Sequence, residues 1–175
     1  MNINNALLIR DDVLSIVKMD PSMAFDVWQN SLDDNNRRFV PDEVFETLED
    51  AQEVVAQIVE SYKSIDGPFI YAVIRNSDSK NLGYVQLVKI DDGFEIGYHI
   101  AMPYCGNGYA TRAVKLFLEY LKEDTKLKEV YGIALADNYA SRKVLEKNGF
   151  ELFFEGSGLY QGNTKEIVRT IKRLK

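Results

Sequence analysis

The chain has 175 residues, enough for one ordinary domain with a real core. No apolar run is long enough to span a bilayer, Met1–Asn5 lacks the basic start and apolar centre of a signal peptide, and a single Cys cannot close an internal disulfide, so a cytoplasmic protein without a membrane partner is expected. A net charge of −6 argues against a nucleic-acid partner, and one His with one Cys gives no basis for a metal site.

Leu7-Leu8-Ile9, with Ala6 before it, and Val13–Val17 are short apolar runs split by Arg10-Asp11-Asp12. They read as a first strand or as a hairpin with a polar turn. Asp20-Pro21 opens a helix, with Asp as N-cap and Pro at the first helical position. Met23, Ala24, Val27, Trp28 and Ser31 form its inner stripe. Asp33–Arg38 is polar and unpatterned, so a loop is expected there, with structure resuming at Phe39-Val40-Pro41. A helix from Thr47 or Leu48 carries Ala51, Val54, Val55, Ile58, Val59 and Tyr62 inward. After a turn at Asp66-Gly67-Pro68, strands over Phe69–Ile74, Leu82–Ile90 and Phe94–Ile100 make an antiparallel meander, joined by Asn76–Asn81 and the Asp91-Asp92-Gly93 turn. A long helix then runs to about Asp124 on the stripe Ala110, Ala113, Val114, Phe117, Leu118 and Leu121. A strand over Lys128–Ala136, a helix over Tyr139–Lys147 capped by Gly149, and strands over Phe150–Glu155 and Glu166–Leu174 complete the chain, with Gly156–Asn163 as a flexible connector. No repeat or composition break divides residues 1–175, so one α+β domain is expected. Its sheet is mixed and mostly antiparallel, of about six to seven strands, with about four helices.

The stretch Pro103–Thr111 joins the meander to the long helix through Gly106-Asn107-Gly108. The first turn of a helix has N–H groups without intrahelical partners at its positive dipole end, and glycines let the backbone come close to a ligand. Such a turn can hold phosphate. A Walker loop needs a Lys-Ser/Thr pair after Gly108, and none follows. The dinucleotide fingerprint needs Gly or Ala where Thr111 stands. A tight turn with no ligand is the other reading of this stretch. A second motif lies downstream, Asn138-x-x-Ser141 through Leu145-Glu146-Lys147-x-Gly149-Phe150. With Gly106-x-Gly108-Tyr109-Ala110-Thr111, it resembles the GNAT N-acetyltransferase superfamily, nearest to the branch containing the ribosomal-protein N-terminal acetyltransferases. The matching motifs lie between Glu95 and Phe150.

The resemblance implies acetyl-coenzyme A as donor and direct transfer to a primary amine, a small molecule or a peptide N-terminus, without a metal. It implies that N–H groups of the turn (Cys105, Gly106, Asn107, Gly108, Tyr109, Ala110 and Thr111) hold the pyrophosphate. It also implies that the pantetheine arm pairs with Ile100-Ala101-Met102, that an amide near Ile100 supports the thioester oxygen, and that Asn138 contacts the coenzyme arm while capping its helix. The segment Asp33–Phe45 is implied to set acceptor specificity. Strand alternation puts Glu95, Gly97 and His99 on one face, with Phe94, Ile96, Tyr98 and Ile100 on the other. Glu95 is the first candidate base, because related enzymes carry a glutamate on this strand, and His99 is the second. Many relatives have a Tyr acid seven residues after the Asn, where this chain has Leu145, so Ser141 is the candidate acid, ahead of Tyr139. The Cys105 side chain is expected to be incidental. Residues 1–103 hold 8 basic against 18 acidic side chains, and residues 104–175 hold 13 against 9. The contrast suits an anionic donor and a cationic acceptor, or is plain solvated surface. The rival to an enzyme is a catalytically weak acyl-coenzyme A binding or sensor module of the same fold, and either form could be a monomer or a homodimer.

Overall fold

The computed structural model describes residues 7–64 and 67–175. The Met1–Asn5 reading, Ala6 and Asp66 lie outside the described residues. The chain-order elements are β1 Leu7–Arg10, β2 Leu14–Lys18, α1 Ala24–Ser31, α2 Asp34–Phe39, α3 Leu48–Ser61, β3 Phe69–Arg75, β4 Lys80–Ile90, β5 Gly93–Ile100, α4 Tyr109–Asp124, β6 Glu129–Leu135, α5 Tyr139–Lys147, β7 Glu151–Tyr160 and β8 Asn163–Arg173. The strands form one eight-stranded sheet in the order β1-β2-β3-β4-β5-β6-β8-β7. The α+β class is as expected, with one more strand and one more helix than the sequence suggested. The two N-terminal apolar runs form the hairpin reading.

Every pairing is antiparallel except β5–β6, which is parallel and registered only at Glu95↔Tyr131. Past that point the two strands diverge, and a groove opens between them. Helices cover both sheet faces. On one side α4 and α5 bury Val114, Phe117, Leu121 and Leu145 against Ile16, Val73, Val85, Ile96, Val130 and Val168. On the other, α1 and α3 cover a smaller cluster of Val17, Met19, Met23, Ile58 and Ala72. Leu14, Ser15, Ile16 and Val17 are consecutive and all buried, because β2 is covered on both faces.

Two sequence expectations change. The polar run Asp33–Arg38 is not a loop. Asp33 accepts from the Asn36 amide and caps α2, whose last turn holds Arg37 and Arg38 near its negative end. Gly156–Asn163 is not a flexible connector, because β7 and β8 run through it to a two-residue turn at Gln161-Gly162. The apparent strand breaker Gly158 is packed: a Cβ there would lie 2.5 Å from Ile167 Cδ1, so the bare glycine makes room for that side chain.

Candidate active site

The turn ahead of α4 is shaped by two left-handed residues, Gly106 (φ 80°) and Gly108 (φ 77°). A Cβ at either would meet nothing within 4 Å, so backbone conformation, and not crowding, calls for glycine. The Asn107 side-chain amide donates to the carbonyls of Tyr104 and Cys105 at 3.1 Å and braces the turn from inside. Gly108 caps α4 without a side chain, and the first intrahelical bond is Arg112 N–H to Gly108 O. Among the described residues, the amides of Gly106, Asn107, Gly108, Tyr109, Ala110 and Thr111 therefore donate to no protein acceptor. Lys115 and Lys147 line the surface groove beside them, while Arg112 is engaged by Asp11 and Asp12.

Three other amides expected at the donor site are already used. Cys105 N–H donates to Met102 O, Ala101 N–H to Leu82 O, and Met102 N–H to the Asp33 carboxylate. Ala101 bonding toward β4 fixes the parity of β5: the N–H and C=O of Ile100 and Tyr98 point the other way, into the groove beside β6. The Ile100 carbonyl accepts the Cys105 thiol at 3.3 Å, and burial together with the Asp33 charge raises that thiol's pKa. Cys105 is thus held as a neutral donor.

The groove is lined by Tyr98, His99, Ile100, Ile133, Asn138, Ser141 and Tyr160, with α2 closing over it. Arg38 of α2 pairs with Asp137 at 2.8 Å, and Tyr160 Oη donates to Phe39 O at 3.3 Å. Asn138 Oδ1 accepts from Ser141 N–H at 3.1 Å and caps α5. The Tyr98 hydroxyl lies 2.9 Å from both Ser141 O and Ser141 Oγ. Its single proton goes to the carbonyl, so the Ser141 hydroxyl donates to Tyr98. Leu145 is buried in the core beneath Gly132. Tyr139 is 71% exposed and lies beneath the Arg142 guanidinium.

Glu95 lies on the opposite face of β5 and is largely desolvated. Burial pushes its carboxyl up to about 7, against the Arg169 charge and a hydrogen bond from the Ile133 amide, and the Glu43 charge adds to the rise. Glu43, from the short turn Pro41–Glu43 after α2, is raised to about 7 by burial, opposed by a hydrogen bond from Gln86, with Asp42 adding to the rise. The Gln86 amide donates to Glu43 Oε1 at 3.3 Å, while Glu43 Oε2 is buried without a partner. His99 shares this face, with Nε2 3.2 Å from Asp33 Oδ2. Burial alone would raise Asp33, but hydrogen bonds from His99 and the Asn36 and Met102 amides outweigh it and hold the carboxyl at about 2. An ionised Asp33 can only accept, so His99 Nε2–H donates. Tyr98 escaped the sequence reading as a participant, and Asp33 and Glu43 entered it only as members of the Asp33–Phe45 specificity segment, without individual roles.

A mixed sheet that opens beside a strand-to-helix turn of unpartnered amides, with a near-neutral carboxyl behind the opening, is an acyltransferase arrangement. The acetyltransferase (GNAT) domain family matches residues 16–151, and the chain belongs to that family. The probable N-acetyltransferase YjcK of Bacillus subtilis (strain 168) is 32% identical over 89 residues, an alignment that spans 49% of this chain and 49% of that protein. An acetyltransferase (GNAT family) from Bacillus anthracis shares the fold at TM-score 0.79 with 21% identity, over 95% of this chain and 98% of that one. RimL, a ribosomal L7/L12 alpha-N-protein acetyltransferase solved with coenzyme A, does so at TM-score 0.80 with 16% identity, over 95% and 97%.

Proposed function

We propose that this chain moves the acetyl group of acetyl-coenzyme A to a primary amine in a ternary complex. The observation that carries the reading is a turn of six unpartnered amides set beside the groove between β5 and β6, whose lining includes Ala110 of that turn together with Ile100, Asn138 and Ser141. In this reading the amides from Gly106 to Thr111 hold the pyrophosphate, with Lys115 and Lys147 beside them. The free edge of β5 at Tyr98 and Ile100 receives the amides of the pantetheine arm. Glu95, whose pKa is close to neutral, accepts the proton of the bound ammonium. The freed amine attacks the thioester carbon, and the Ile100 N–H stabilises the oxygen on which charge develops. As the carbon–sulfur bond breaks, the attacking nitrogen sheds its second proton to the departing thiolate, and the Ser141 hydroxyl turns from Tyr98 to donate a hydrogen bond to that sulfur.

The test follows release of the coenzyme A thiol with a panel of amines. Glu95→Gln is expected to lower kcat at pH 7 by roughly 10²–10⁴-fold, the usual contribution of a general base. In the native protein, kcat should rise with pH through an apparent pKa near 7. A loss below threefold would remove Glu95 from the role. Tight coenzyme binding with no amine acetylated would favour the sensor reading.

A further inference from the structure

We infer that the cavity beneath α1, α2 and α3 receives the carbon skeleton of the acceptor, and that the acceptor is a compact monoamine with an apolar body, not a polyamine or aminoglycoside. The inference rests on the proposed acetyl transfer and names its substrate class. This cavity is separate from the groove between β5 and β6, but the two share the wall formed by Asn36, Glu43, Tyr84, Gln86 and His99. A molecule with its amine at that wall presents nitrogen to the groove and its carbon chain to the cavity.

The acceptors at the wall fit an ammonium. Glu43 Oε2 and Asn36 Oδ1 are both buried without a hydrogen-bond partner. The orientation of the Asn36 amide is set independently, since its NH₂ donates to Ser31 O and Glu43 O. Buried acceptors left unpaired are costly, and an alkylammonium brings three donors. Three other polar side chains lining the cavity are already committed. Asn30 donates to Asn81 O, Asn81 Oδ1 accepts from Gly83 N–H, and Ser31 Oγ both donates to Trp28 O and accepts from Phe45 N–H.

Beyond the wall, Met19, Val27, Phe45, Val54, Ile58 and Ile70 supply an apolar surface. The acidic residues lining the cavity are Asp42 and Glu43, adjacent in sequence and so at the same end. A second ammonium on the chain would lie against aliphatic side chains without a counterion, which burial strongly disfavours. Size sets the other limit. The cavity measures about 180 Å³. A cavity of roughly 150 Å³ holds a benzene-sized molecule, so a body of roughly six to eight heavy atoms fits here.

The experiment measures kcat/KM with 3-methylbutylamine, 2-phenylethylamine, 1,4-diaminobutane and spermidine, alongside calorimetry of coenzyme A binding. Both apolar monoamines are expected to exceed the diamine and spermidine by roughly tenfold or more, the scale on which an apolar pocket discriminates. Val54→Asp, which puts a carboxylate into the far wall, is expected to narrow that ratio by raising 1,4-diaminobutane. If that variant does not fold, the native panel decides alone. Equal or better turnover of the diamine or spermidine, or a folded Val54→Asp with an unchanged ratio, overturns the inference and leaves acetyl transfer standing. Loss of coenzyme binding overturns both.

Discussion

Glu43→Gln tests the electrostatics of the site without substrate. The substitution keeps the side chain's shape and its acceptor for Gln86, and removes the titrating group. Burial raises the Glu43 carboxyl from 4.5 to about 7. Below pH 4.5 folded and unfolded chains both hold the proton, so the native glutamate carries no penalty. Between 4.5 and 7 the unfolded chain ionises first and stability falls as pH rises; above 7 the whole difference is lost. That displacement corresponds to about 3 kcal/mol at ~1.4 kcal/mol per pKa unit. Interaction with Glu95 makes the titration a property of the pair and spreads it over a wider range. The stability of Glu43→Gln relative to the native protein should therefore rise by about 2–3 kcal/mol between pH 4 and pH 8. For a domain of this size that widens the Tm gap by roughly 4–10 °C. Thermal unfolding followed by circular dichroism at constant ionic strength measures it. A gap that stays flat across this range would refute desolvation as the origin of the raised pKa.

Gly108→Ala should cost about 1–2 kcal/mol, because φ 77° suits alanine poorly, and should weaken coenzyme A binding by calorimetry. An unchanged Tm and Kd would count against the conformational argument. Tyr98→Phe and Ser141→Ala should each lower kcat more than donor KM, and the double variant should cost little beyond the worse single one, because one hydrogen-bonded unit is lost either way. Additive effects in log kcat would separate the two residues. Asp33→Asn should destabilise by about 1.5–3 kcal/mol, the range for hydrogen bonds to a charged group, measured by urea unfolding. Asp33 is held below its unfolded value of 3.8, so its contribution is fully present above 3.8 and is lost as pH falls toward 2; the penalty should be constant from pH 5 to 8. A penalty that varies across that interval would mean another group carries the effect.

What could be read from sequence was written locally. The bounds of α5 and the end of α4 followed from apolar spacing, Asn138 and the positive-φ Gly149. Thr47 and Asp50 complete a capping box and mark the start of α3. Glu95 and His99 fell on one face by alternation, and the structure keeps them there. The role of Tyr98 was not local, since its partner Ser141 lies 43 residues away on another element. The extent of β7 was obscured because Gly156 and Gly158 look like breakers until Phe154 is seen beside the first and Ile167 packed against the second.

The missed helix α2 and the missed carboxyl Glu43 share one cause. Asp34–Phe39 has no apolar stripe, so periodicity is silent, and its helicity depends on the Asp33 cap and on anchors far away in the chain. Those anchors are Asp137, which meets Arg38, and Tyr160, which meets Phe39 O. Only when α2 is pinned over the sheet does the turn after it carry Glu43 inward against Gln86. The same carboxyl on the loop expected from sequence would be solvated and ordinarily acidic. Its raised pKa and unpartnered oxygen are consequences of burial that no residue near position 43 encodes. In this chain the donor side is therefore legible from turn chemistry, while the acceptor side is created by long-range packing, and the two meet at the wall formed by Glu43, Gln86 and His99.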